Sequence, residues 1–247
     1  MVAYRAEVIV WILTSTLPLV MLAVWDRVAQ DGAVQGFGQG DFARYFAVAL
    51  VVRQLTGTWV VWELNQQIRT GSLSAALLKP THPLAWFAAE SLATMPIRAV
   101  VLIPLIAVIA LWRPEMGVGF EPANAPAFVL SVLLAFGVHF LVQTIFGCLA
   151  FWLDQSLGLF NVWFAVWALF SGYIAPIALM PDGLRAAVEW LPFRALLGIP
   201  VEIGAGLATG PAVWSGLLVQ LSWLASCAVL AAFVWRRGVL RYGAVGA

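Results

Sequence analysis

The stretch Pro126-Ala-Phe-Val-Leu-Ser-Val-Leu-Leu-Ala-Phe-Gly-Val-His-Phe-Leu-Val-Gln-Thr-Ile-Phe-Gly-Cys-Leu-Ala-Phe-Trp152 contains no Asp, Glu, Lys or Arg. Crossing the hydrocarbon core of a bilayer, about 30 Å thick, takes about 20 helical residues. This stretch is long enough. Its backbone must be helical, because a lone strand in lipid leaves its N–H and C=O groups unpaired. Five further apolar runs surround it: Val8–Trp25, Tyr45–Trp62, Leu84–Trp112, Leu157–Met180 and Val213–Trp235. The expected fold is therefore an all-α membrane protein of six transmembrane helices, with residues 1–247 forming one domain and no internal repeat.

Composition points the same way. Of 247 residues, 63% are hydrophobic and 10% are charged, against about 25% charged in an ordinary soluble domain. A soluble fold of this size cannot hide that much apolar surface. The 13 Trp and 15 Phe suit membrane boundaries and lipid-facing spans. A net charge of +1 gives no basis for binding nucleic acid. Cys148 and Cys227 each sit inside an apolar run and read as buried free thiols. The run from Val8 lacks a small-residue cleavage site and reads as a first span, not a signal peptide.

The third run is too long for one perpendicular crossing. Its first part, with Trp86 and Phe87, is expected at the membrane boundary, and Ile97–Trp112 is expected to cross. Asp26–Asp41 is a Gly-rich acidic loop, and Arg113–Ala125 carries two prolines and two acids. Asp154-Gln155-Ser156 is a tight turn. Pro181–Pro211 is semi-hydrophobic but cut by Pro192, Pro200, Gly204, Gly206 and Gly210. It reads as two short helices that dip into the boundary without crossing, a backbone tolerable only if shielded by protein or water. Six spans put both termini on one side. The tail Arg236, Arg237, Arg241 places that side in the cytoplasm, together with Glu63–Pro83, whereas Asp31, Glu121 and Glu189 fall outside.

Several chemistries are excluded. The one lysine, Lys79, precedes Pro80, so the Gly-Lys-Ser/Thr of a phosphate-binding loop is missing. The chain is expected to hold no cofactor of its own; if it uses nucleotide energy, ATP and Mg would be bound by another chain. His82 and His139 lie far apart, no Cys/His cluster has metal spacing, and no Gly-x-Ser-x-Gly elbow accompanies His139.

Polar side chains inside spans are costly and draw attention. Arg53 and Gln54 lie near the middle of the second run, and His139 and Gln143 share a face of the fourth at i, i+4. These four either line a substrate path or fix helix packing, by interhelical hydrogen bonds or by a buried ion pair of Arg53 with a carboxylate; sequence leaves both readings open. Glu90 and Arg98 lie on one helical face and read as snorkelling or structural. Ser222 and Ser226 form a small-xxx-small pair that favours close helix contact. In Glu63–Pro83, Leu64 and Ile68, then Leu73 and Leu77, repeat at i, i+4. The spacing predicts a short amphipathic helix, a break at Thr70-Gly71, and a second helix capped by Ser72 or Ser74 and stopped by Lys79-Pro80. Pro83 opens the next helix. An ordered amphipathic loop of this kind rests on a partner surface or on lipid headgroups.

The stretch Ile68-Arg-Thr-Gly-Ser-Leu73 followed by Leu77-Leu-Lys-Pro80, the broken segment with Leu191-Pro192-Phe193 and Gly198-Ile-Pro200, and the tail Arg241-Tyr242-Gly243 resemble the permeases of the type-2 ABC exporter family over nearly the whole chain. The resemblance implies a multi-pass permease of the cell inner membrane, paired with an identical or homologous permease and driven by cytoplasmic ABC ATPase subunits. It implies that Arg69, Thr70, Gly71, Leu73, Leu77 and Lys79 belong to a coupling helix seated in an ATPase cleft. It also implies that the broken segment is an external re-entrant cap. A scaffold protein without a path, or an ion-coupled carrier, are the rival classes. The carrier would want carboxylates deep in the spans, whereas the acids here cluster at boundaries and loops.

Overall fold

The computed structural model describes residues 17–112, 122–154 and 156–242, and its regular elements are helices. Helix α1 spans 17–28; the part of the first expected span before it, with the N-terminus, lies outside the described residues. A 3-10 turn at Ala29–Asp31 and an isolated bridge between Val34 and Phe37 lead to α2, Gln39–Thr56. The Asp41 carboxylate accepts the Gly38 N–H at 3.0 Å, so an acid occupies the positive end of this helix.

After a three-residue interruption, α3 runs Val60–Thr70. Gly71 ends it at φ 78°, a left-handed cap that favours glycine. Then α4, Leu73–Leu77, leads to α5, Pro83–Trp112. Ser72 holds the N-cap position of α4 without a side-chain cap bond, its hydroxyl lying 2.9 Å from that of Thr70. The sequence read α5 as a boundary segment followed by a span; it is one continuous helix of 30 residues with Pro96 and Pro104 inside. The connection Arg113–Glu121 lies outside the described residues.

Helix α6, Ala125–Cys148, continues as a 3-10 turn to Phe151. Helix α7 is Ser156–Phe170. The expected fifth span, to Met180, is thus corrected: the helix stops at Phe170 and is about 22 Å long at about 1.5 Å per residue. The chain then turns through Gly172 at φ 91°. It continues through short pieces: α8 (Asp182–Glu189), a π turn (Arg194–Gly198) and α9 (Ile199–Gly204). The closing helix, α10, is Pro211–Arg241. Among the described residues, three helical runs are long and apolar enough to cross a membrane: Gln39–Thr70, Ala125–Phe151 and Pro211–Arg241.

Three packed clusters position everything else, the smallest joining the broken segment to α10 through Ile199, Ile203, Val213 and Leu217. Of the larger two, one joins α2, α7 and the broken segment 171–210 through Phe42, Tyr45, Phe46, Trp167, Tyr173 and Leu197. The other sits under α3 and α4 and joins Val60, Leu64, Leu73, Phe140, Cys148 and Trp235. Helix α10 packs most extensively on α6 and also meets its 3-10 continuation. A Cβ on Gly238 would fall 2.1 Å from the Phe151 ring, so only glycine fits there. Gln220, fully buried, donates to the carbonyls of Ala195 (2.9 Å) and Ser131 (3.1 Å) and accepts from the Ser131 hydroxyl at 2.7 Å. It thereby ties α6, α10 and the broken segment together. Ser222 and Ser226 take no part in this packing. Both are exposed, and their hydroxyls turn back to Val219 and Ser222 carbonyls of their own helix at 2.8 Å. Cys148 and Cys227 are buried free thiols.

Candidate functional site

The interruption at Gly57-Thr58-Trp59 frees backbone groups inside an apolar run, and in a membrane those groups need partners. Two side chains supply them. The Arg98 guanidinium on α5 donates to the carbonyls of Gln54, at 3.3 Å, and Gly57. The Gln143 side chain on α6 accepts the Val61 N–H at 3.4 Å. A cation at the negative end of α2 is also favoured by the helix dipole. Arg98 therefore has a structural task, and Gln143 takes part in helix joining. Gln54 contributes its backbone carbonyl to the same knot.

One turn before the interruption, Arg53 lies against α7. Its guanidinium carbon is 5.8 Å from the Phe164 ring centroid and 5.6 Å from that of Trp167, a geometry in which the aromatic faces attract the cation. His139 on α6 meets the same indole edge-on at 5.5 Å. Arg53 and His139 are half-buried, and Trp167 is buried. The structure thus gathers two of the four sequence-selected polar residues around Trp167. Nothing in their spacing pointed to that tryptophan, since it is one of 13 in the chain. Arg53 Nε, His139 Nε2, Trp167 Nε1 and Ser171 Oγ are buried without a hydrogen-bond partner.

The loop around Gly71 is held rigidly from within. Leu73 is fully buried in the cluster under α3, and Leu77 packs at its edge. Asn65 donates to the Ser156 hydroxyl at 2.6 Å, and Arg69 donates to the Asp154 carbonyl at 2.8 Å. Thr70 bonds the Gln66 carbonyl of its own helix at 2.9 Å. Lys79 stands over the Trp86 ring at 5.9 Å. The outward apolar residue is Leu78, 87% exposed, which the i, i+4 reading passed over because it sits one place beyond the periodic pair. The five residues 78–82 form a continuous exposed strip.

At the other end, the broken segment is tied to the helices. Tyr45 on α2 donates to the Gly172 carbonyl at 2.8 Å, and Trp25 donates to that of Ile174 at 2.9 Å. Arg194 grips Glu202 bidentately at 3.2 and 2.7 Å. Burial works against the Arg194 charge, but the Glu202 carboxylate outweighs it and holds the guanidinium pKa above its ordinary value. Among the described residues, no group of three or more His, Cys, Asp or Glu side chains is placed to hold a metal.

No curated protein and no solved structure matches the chain at significance. A family model described as ABC-2 family transporter protein matches residues 9–246. That family consists of membrane components that bind no cofactor and lack the ATPase domain; its members pair with ABC ATPase subunits. With nearly its whole length matched and its long apolar helices in place, the chain is a multi-pass membrane protein, not itself an enzyme, and belongs to the ABC-2 family of transporter proteins.

Proposed function

We propose that this chain is the permease of an ABC exporter, crossing the inner membrane six times with both termini in the cytoplasm and driven by a separate cytoplasmic ATPase. The family match over residues 9–246 carries the reading. Three crossings correspond to the long apolar runs. The 30 residues of α5 extend about 45 Å, enough for a fourth. The run containing α1 and the short α7, completed by the turn after Phe170, supply the others.

The loop between α3 and α5 is the coupling element. A docking knob must not collapse under load, and here Leu73 anchors α4 in the chain's own core while Leu78 and its neighbours stay outside. Leu73 and Leu77 thus position the element, and Leu78, with Lys79 at the rim, meets the ATPase. In such interfaces an apolar anchor carries most of the affinity, whereas rim charges set orientation and rate. Segment 171–210 caps the outer end, and Arg53, Gln54, His139 and Gln143 border the path, with Gln143 also bracing the broken helix. A second permease, identical or homologous, completes the path.

Affinity purification of the full chain from its native host tests this. An ABC ATPase should co-purify, and its hydrolysis should respond to cargo. Recovery of the folded chain with no ATPase under conditions that preserve membrane complexes would reject the permease reading.

A further inference from the structure

Four orphaned polar atoms lie on Trp167, on Arg53 and His139, which pack against its ring, and on Ser171, four residues further along the chain. Trp167 is 1% exposed and its indole N–H finds no acceptor. Indole and guanidinium N–H groups can only donate. Arg53 Nε and the Ser171 hydroxyl, one turn beyond Trp167, are equally unmatched, as is His139 Nε2. Buried polar atoms are ordinarily paired. Two of the four, Trp167 Nε1 and Arg53 Nε, can only donate, and the Arg53 group carries a formal positive charge; the Ser171 hydroxyl and the His139 imidazole can each turn a donor toward the same ligand. Three ion pairs between described residues, Arg44 with Asp41, Arg185 with Asp182 and Arg194 with Glu202, do not involve Arg53. A cation this deep in a span is costly without compensation, and two aromatic faces with the neutral Tyr173 hydroxyl beside it supply only part of it.

A second feature leads to the same place. Trp59 and Trp62, 45% and 38% exposed, meet at a tilt with ring centroids 5.0 Å apart. Trp62 meets Phe160 at 5.2 Å, Phe160 meets Phe164 at 6.5 Å, and Phe164 meets Trp167 at 5.3 Å. These rings form an unbroken ladder from the surface of the helical run to the donor cluster. Apolar steps ending in unpaired donors match an amphiphile laid tail along the ladder and head inward.

The geometry points to a binding site for the oxyanion head, phosphate or carboxylate, of an amphiphile whose alkyl tail packs on the aromatic ladder. Arg53 and Trp167 donate to the head, with Ser171 and His139 completing its shell. This deepens the permease reading and rests on it for the identity of the ligand as cargo.

The test uses the full chain with its co-purifying ATPase in phosphatidylcholine nanodiscs and radiolabelled dodecyl phosphate as probe. Saturable binding is expected. Dodecanol and dodecyltrimethylammonium should fail to compete, and inorganic phosphate should compete only weakly because it has no tail. Arg53→Gln should weaken binding roughly tenfold or more, as loss of a charged donor implies. Trp167→Phe, which keeps the ring and removes only the N–H, should weaken it severalfold. Gel filtration and retained ATPase establish that both variants are folded. Phosphatidylglycerol built into the disc separates the two sources of such a head. Competition by it identifies a bilayer lipid, and its failure to compete identifies a soluble cargo. Equal competition by the neutral or cationic amphiphile overturns the proposal, as do folded Arg53→Gln and Trp167→Phe proteins that bind like the parent. Those results leave the permease reading intact, whereas a chain that never carries an ATPase defeats that reading while the binding data still decide the site.

Discussion

Replacing Gln220 by Leu removes a side chain that bonds α6 and the broken segment to α10 at once. Three hydrogen bonds disappear. Side-chain bonds between membrane helices average about 0.6 kcal/mol and reach about 1.7, because the unfolded chain in lipid also finds partners. The three together are therefore worth about 2 kcal/mol. The Ser131 hydroxyl, fully buried, is then left unpaired, which adds about 1–3 kcal/mol. Leucine recovers a little through apolar contact. The net loss expected is about 2–4 kcal/mol. Unfolding of the purified chain by SDS titration reads it directly. Ser131→Ala alone should cost less, and the double variant Ser131→Ala/Gln220→Leu should be more stable than the two single losses predict, since no hydroxyl is orphaned. Additive losses would show that the pair is not coupled. An unchanged or raised stability for Gln220→Leu would refute the reasoning outright.

Two further outcomes concern the loop and the topology. Leu73→Ala should lower stability by about 2–5 kcal/mol, as for a buried leucine, while Leu78→Ala changes it by no more than about 0.5 kcal/mol; thermal melting in detergent distinguishes them, and equal losses would mean that Leu73 does not anchor α4. Cysteines placed at Asp31 and Glu189 should react with a membrane-impermeant maleimide in intact cells and one at Gly71 should not; labelling at Gly71 would reverse the orientation.

The apolar runs made the helical class legible because lipid leaves the backbone no other solution. Sequence also read α3, its Gly71 stop and α4, where periodicity and a left-handed cap agree. It overran α7, since Ser171-Gly172 is a weak signal inside a hydrophobic stretch, and the turn there depends on Tyr45, 127 residues away. It missed the interruption at Gly57 for the same reason: Arg98 and Gln143 make that break affordable only in three dimensions. Periodicity marked Leu73 as apolar-faced but could not say whether that face met a partner or the chain's own core. Trp167 escaped notice because an indole in an apolar run looks like lipid contact until Arg53 and His139 are seen against it.

The central claim is that the exposed strip beginning at Leu78 delivers the ATPase's motion to the permease. Cross-linking tests it most directly. In membranes holding the intact complex, Leu78→Cys should couple to the ATPase through a short bifunctional thiol reagent, while Leu73→Cys, buried like the native Cys148, should not. Robust coupling from position 78 that changes with added ATP is the predicted result. No coupling from position 78 in a complex that still retains its ATPase would contradict the account.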